Sequence, residues 1–410
     1  MKSLGIVFLL IMLLFASCTT LKPVATSSPP KEKTDTTKQI TVVKDSIVSP
    51  KQKTYHISLL LPFNFEQQFK TDSAGNDLDI VPSSLSALNF YEGFLSALDS
   101  NEKKFSIQYD VYDTERDSME LWRLLNSKQI SESDVVMAML SNSWNTIASK
   151  IASARQYNLF LLQGNNSSCL NGNEHAFLTS PSNNTQCKLM AEYLYHSFSN
   201  PNAIIIYRDF NKREAELADF FFTALDSISG HHLVEKLNYS EGGFNALKTK
   251  LTLKGKNLLI IPSSDESYIS SILTKLSDLK DYAIAIGGLP TWEHFESMDP
   301  EQLESFNTNI FNSSFIDYSN EVVNEFRKNF IALLHADPLF TAYQAHDLLR
   351  WIEYNFSINN NQLELFEKPS SAKNTTSGID PVKVCNNCGF ENFSLSILKY
   401  KNGGLEKINH

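Results

Sequence analysis

The sequence has no basic block. Lys and Arg number 36 against 46 Asp and Glu, a formal net charge of −10. Nucleic acid, whose phosphates demand a positive face, is thereby excluded as a partner. There is no phosphate-cradling glycine loop and no Gly-x-Ser-x-Gly elbow. The nine histidines are scattered, and none has metal-ligand spacing. No catalysis, cofactor or metal is therefore expected. Long apolar runs are missing too: none reaches the about 20 residues of a spanning helix.

What is present starts at the N-terminus. Lys2 precedes an apolar core from Leu4 to Phe15, then small Ala16 and Ser17, then Cys18. This order describes a secretory signal over residues 1–17. Its end resembles the bacterial lipobox. That resemblance implies cleavage before Cys18 and acylation of its thiol, a durable membrane anchor. Because Thr19 rather than Asp follows, it also implies sorting to the outer membrane, facing the periplasm. Residues 18–54 are rich in Thr, Ser, Pro and Lys and nearly free of aromatics. Such a stretch cannot bury enough surface to fold and reads as a tether.

Four further cysteines remain: Cys169, Cys187, Cys385 and Cys388. Export permits disulfides, and the pairing expected is Cys169–Cys187 and Cys385–Cys388. "CNNC" also has the spacing of a redox pair or half a zinc site. It lies in polar, Asn-rich text rather than at a helix start, which favours a structural bridge.

From Tyr55 onward, β-rich runs alternate with helical periodicity. "YHISLLLPF", "KFSIQYDVYD", "DVVMAML" and "NLFLLQG" read as strands, with helices between them. In the first helix, Leu85, Leu88, Tyr91, Leu95 and Leu98 share a face, with Ser83 or Ser84 as cap. After "EHAFLTSPS" the pattern restarts, with strands at "NAIIIYRD", "HHLVEKLNY", "KNLLIIPSS" and "YAIAIGGLP". Two helices and a hairpin turned by "NGG" close the chain. The fold class is α/β, two doubly wound parallel-sheet lobes.

The order and spacing of "ISLLLPF", "NFYEGFLSALD", "VYDTERD", "IIPSSDE", "GGLPTW" and "ILKYKNGGLEKIN" resemble the type I periplasmic binding proteins of the branched-chain amino-acid receptor-like family. That resemblance implies lobes joined by a hinge of three crossings, near Ala176–Pro181, Asn312–Tyr318 and Asn359–Gly389. The first lobe is then about 55–178 and 317–357, and the second about 179–316 and 389–410. It implies either capture of a small ligand (amino acid, peptide or cell-wall fragment) for uptake or sensing, or a scaffold contacting cell-envelope proteins that build peptidoglycan.

Ligands of such sheets bind beyond the strands' carboxyl ends. The candidates are Ser141, Asn142, Ser143 and Trp144 after the third strand, Gly164 and Asn165 after the fourth, Arg208 and Asp209 in the second lobe, and Trp292 in "GGLPTW". Ser141–Ser143 open a helix, whose free N–H groups favour a carboxylate. Asp209 or Glu293 can face an ammonium group. Against this, Ser and Asn at a helix start are capping residues first, and both tryptophans suit packing.

Overall fold

The computed structural model describes residues 53–65, 82–98, 106–115, 117–230, 234–358 and 374–408. The signal, Cys18 and nearly all of the tether lie outside the described residues, as do His231 and His232.

The first βα series runs β1 (Thr54–Leu61), α1 (Pro82–Leu98), β2 (Ser106–Asp113), α2 (Ser118–Leu125), α3 (Lys128–Ser131), β3 (Val135–Ala138), α4 (Asn142–Arg155), β4 (Asn158–Leu161) and β5 (Ala176–Leu178). The second runs α5 (Asn183–Ser197), β6 (Asn202–Tyr207), α6 (Lys212–Ser229), β7 (Val234–Asn238), α7 (Tyr239–Lys250), β8 (Lys256–Ile260), α8 (Glu266–Leu276), β9 (Ala283–Gly288), α9 (Pro300–Ser305) and β10 (Asn309–Asn312). Then come α10 (Glu321–Leu334), α11 (Phe340–Ile358), β11 (Pro381–Lys383), β12 (Phe390–Asn392), β13 (Ser396–Lys401) and β14 (Gly404–Lys407).

Two seven-stranded sheets result, ordered β11-β12-β5-β4-β3-β1-β2 and β14-β13-β10-β9-β8-β6-β7. Every pairing within each βα series is parallel, and only β11, β13 and β14 run antiparallel to their neighbours. The inner strands are covered on both faces. Val135–Ala138 and Ala203–Ile206 are almost wholly buried, which is why they read as unbroken apolar runs. The final turn follows its sequence: Asn402 and Gly403 both have positive φ, 53° and 76°, as a two-residue Asn-Gly hairpin turn requires.

Three expectations are corrected. First, α1 buries a neighbouring stripe more deeply than the expected one, of which Tyr91 and Leu98 still pack half-buried against the core. Leu85 and Leu88 are exposed, while Ala87, Phe90, Phe94 and Ala97 have no exposure. At Gly93 an added Cβ would lie 2.2 Å from the Ala342 carbonyl oxygen of α11. The two helices approach so closely that only small residues fit between them. The helix also begins at Pro82, so Ser83 and Ser84 lie inside its first turn.

Second, Cys169 and Cys187 are free thiols. Cys169 belongs to a core on one face of the first sheet, Cys187 to the core of the second lobe. Burial pushes the Cys169 thiol up to about 11, and Cys187 higher still. Cys385 and Cys388 do form a disulfide.

Third, the last crossing is later than expected. β11 and β12 join the first sheet, with Phe390 opposite Phe177, and β13 joins the second, with Ile397 opposite Phe311. The crossing is therefore residues 393–395, and the start of the 389–410 segment belongs to the first lobe. Among the described residues, no helix is long and apolar enough to cross a membrane, and no His/Cys/Asp/Glu cluster could hold a metal.

Candidate functional site: the interlobe cleft

In the first lobe six candidate residues follow the carboxyl ends of β3 and β4. Ser141 occupies the N-cap position of α4 with extended backbone, φ −71° and ψ 160°, yet makes no side-chain cap bond. Its Oγ instead lies 3.1 Å from Ser143 Oγ. By contrast, Asp117, Ser127, Ser182, Asn211, Asn238, Asp265, Asp299 and Asn320 accept backbone N–H bonds at the starts of α2, α3 and α5–α10. The capping reading of Ser141 therefore fails. The first-turn donors of α4, at exposed Asn142 and Ser143 and half-buried Trp144, carry the partial positive charge of the helix end.

Asn142 and Asn165 are engaged with each other. Asn142 Nδ2 donates to Asn165 Oδ1 at 2.7 Å, and the Asn165 N–H donates back to Asn142 Oδ1 at 3.1 Å. Asn165 also accepts, at its carbonyl, the N–H of Asn183, the first residue of α5. At Gly164 a side chain would press on Asn145 Nδ2 at 2.8 Å, an amide that supports the loop by donating to the Gln163 carbonyl. Trp144 packs against the core under α4.

In the second lobe Arg208, at the end of β6, is closed off. It forms an ion pair with buried Glu214 and donates from Nη1 to Asp265 at 2.8 Å and from Nη2 to Ser263 Oγ at 3.2 Å. Its guanidinium also lies 4.1 Å from the Tyr268 ring centroid. The Arg208 hydrogen bond holds the Asp265 carboxyl below its usual range, aided by the Tyr268 N–H. Trp292 is 1% exposed, with Nε1 donating to the Ser263 carbonyl at 2.9 Å. Arg208 and Trp292 thus meet at Ser263 and brace the loop after β8. Asp209 is exposed and, among the described residues, accepts only the N–H of Phe210, itself 71% exposed.

Two cavities lie beside these residues, and of the expected ligand contacts only Glu293 lines one of them. One of about 110 Å³ in the second lobe is lined by Asn183, Arg213, Ser264, Thr291 and the apolar Leu289 and Phe311. The other, about 440 Å³, lies where Pro290–His294 and the second crossing meet Pro338–Phe340. In it, Glu293 accepts a 2.7 Å bond from Asn312 Nδ2. The strand-end rule points at Ser264, Thr291 and Glu293. No sequence signal marks Arg213, which sits in the first turn of a helix that Asn211 already caps.

No family model matches the sequence, and no curated protein does. Solved structures match the fold. A protein from Rhodospirillum rubrum, assigned as a branched-chain amino acid ABC transporter, is 12% identical over 87% of this chain and 100% of its own, with a TM-score of 0.59. An ABC transporter substrate-binding protein from Desulfitobacterium hafniense is 13% identical over 87% and 100%, TM-score 0.56. The C-domain of LpoA from Haemophilus influenzae, a regulator of PBP1A, is 12% identical over 86% and 100%, TM-score 0.57. The chain has the two-lobed fold of the type I periplasmic binding proteins. These three are described as a branched-chain amino acid ABC transporter, an ABC transporter substrate-binding protein and a regulator of PBP1A, and none of the three is described as an enzyme.

Proposed function

We propose that this protein is a non-catalytic binding protein of the bacterial envelope, held to the outer membrane by lipid on Cys18. Its lobes close on a small ligand that carries a carboxylate: an amino acid, a peptide or a cell-wall fragment. The observation that supports this most is the uncapped start of α4. A helix N-terminus without an internal acceptor is a ready anion site. Asp209 and Glu293, neither in an ion pair among the described residues, are available to an ammonium group.

A second reading rests on the closed-off groups. Arg208, Trp292 and the Asn142–Asn165 pair are engaged internally, as suits a scaffold that contacts envelope proteins through its lobe surfaces. Thermal unfolding of the purified protein against amino acids, peptides and muropeptide fragments separates the two. A ligand at 100 times its dissociation constant stabilises by about 2.7 kcal/mol. The shift should disappear in Ser143→Pro, which removes one first-turn N–H where proline is tolerated. No shift across the library refutes the small-ligand reading and leaves the scaffold.

A further inference from the structure

Far from the cleft, the loop 384–389 joins β11 to β12. β12 runs parallel to β5, so this loop sits at the amino edge of the first sheet, opposite the strand ends that carry the candidate residues. It holds the Cys385–Cys388 disulfide. Cys385 is exposed and Cys388 is 3% exposed. One end of the bridge therefore faces solvent and the other is enclosed.

The loop does not depend on its bridge. The Cys388 N–H donates to the Cys385 carbonyl at 3.1 Å, the Val384 N–H to Gly389, and the Gly389 N–H to Leu170 at 3.0 Å. Gly389 is pressed so closely on the neighbouring chain that a Cβ would lie 2.3 Å from the Ala176 carbonyl oxygen. Main-chain bonds and packing hold these residues whether the sulfurs are joined or not.

The surroundings of Cys388 also suit a thiol. Its Sγ lies 3.4 Å from Asn171 Oδ1, an acceptor. A disulfide sulfur has no hydrogen to donate. The contact becomes a hydrogen bond only when Cys388 carries S–H, so reduction gains an interaction there.

We propose that Cys385–Cys388 is a thiol-exchange site, opened and closed in the folded protein by a dithiol. One thiolate of the dithiol attacks the exposed Cys385 Sγ and the S–S bond breaks. Cys388 leaves as thiolate, takes a proton from water and, as a thiol, hydrogen-bonds through its S–H to Asn171 Oδ1. The second thiol of the dithiol, as thiolate, attacks the mixed disulfide, which releases Cys385 thiolate. The dithiol is oxidised to its disulfide and the pair is reduced by two electrons.

The test uses the full chain in buffers of reduced and oxidised dithiothreitol, followed by alkylation and peptide mass mapping. Cys187, fully buried, reports unfolding. The expected result is alkylation of Cys385 and Cys388 while Cys187 stays unlabelled. Opening of the bridge only together with labelling of Cys187 overturns the proposal. Asn171→Ala, at an exposed position, should move the reduction midpoint toward the oxidised form by about threefold, the worth of a weak hydrogen bond. An unchanged midpoint removes Asn171 from it. Glutathione disulfide should modify Cys385 in Cys388→Ser several-fold faster than Cys388 in Cys385→Ser; equal rates contradict attack at Cys385.

Discussion

Replacing Ser141 with Asp places a carboxylate where the cleft ligand's own carboxylate is proposed to bind. Ser141 already has the extended backbone of an N-cap, so Asp can accept from the first-turn N–H groups without moving the chain. A cap of this kind contributes about 1 kcal/mol, and the helix dipole adds about 0.5 kcal/mol for a negative charge. Unfolding entropy of about 2.1 cal/mol/K per residue, over the roughly 350 residues that follow the tether, converts this into a rise of only about 1–2 °C. A denaturant titration therefore accompanies the thermal scan. Ligand-induced stabilisation should vanish in the same variant, because the built-in anion fills the site and repels another. Ser141→Ala supplies the control. Its Oγ caps nothing, so its removal should stay within about 0.5 kcal/mol, as for ordinary surface substitutions, instead of the about 1 kcal/mol of a lost cap. A stabilised Asp variant that binds the ligand as well as the parent would refute the assignment of the site. An Ala variant that loses a full cap's worth would refute the reading of Ser141 itself.

Arg208→Met should destabilise by about 3–5 kcal/mol in urea, because it leaves buried Glu214 without its cation. Most of that loss should come from Glu214, since the Asp265 side chain is 43% exposed and pairs of that kind contribute about 1 kcal/mol or less. Gly93→Ala should cost about 1–3 kcal/mol by forcing α1 from α11, seen as a lowered denaturation midpoint. Glu391 gives a pH signature. Burial raises its carboxyl, against opposing bonds from the α5 N-terminus that include the Ser182 N–H at 2.5 Å. A raised carboxyl contributes stability that is fully present below the unfolded-chain value of about 4.3 and is lost as pH rises through the folded value. Glu391→Gln should therefore gain on the parent as pH climbs from 4 to 8 in denaturant titrations. A constant difference across that range contradicts the argument.

The βα alternation was legible because buried parallel strands and their covering helices have distinct periods. The hairpin was legible because Asn402-Gly403 names its turn. The face of α1 was not, for a specific reason. Its sequence carries two apolar stripes, one of leucines and one of Ala87, Phe90, Gly93, Phe94 and Ala97, and hydropathy favours the first. Close approach to Ala342 selects the second, and the identity of a helix's neighbour is not written in its own period. The Cys169–Cys187 pairing failed similarly. The two lie close in sequence but on opposite sides of a crossing, each in a separate core. β11 and β12 were missed because three-residue strands set in polar text carry no pattern. At the candidate site, the rule of strand carboxyl ends pointed to Ser141, Asn142, Ser143, Trp144, Gly164 and Asn165, of which the fold joins Asn142 to Asn165. It could not show that Arg208 is enclosed, because Glu214 in the first turn of α6 and Asp265 at the N-cap of α8 reach it from two helix starts that only the fold brings together.

The late crossing at 393–395 sets the order in which the molecule can be completed during synthesis. Up to β10 the chain has made five strands of each sheet, in sequence, but neither sheet has its last edge. β12 must return to β5, made some two hundred residues earlier, and β13 must then reach β10. Until those residues emerge, both β5 and β10 present a row of unpaired N–H and C=O groups, the kind of edge to which other chains add. The two lobes are thus finished together by one short stretch. A chain interrupted before Phe390 is not one sound lobe with a ragged tail. It has two open sheets, which makes the region from Pro381 to Lys407 the step on which escape from aggregation depends.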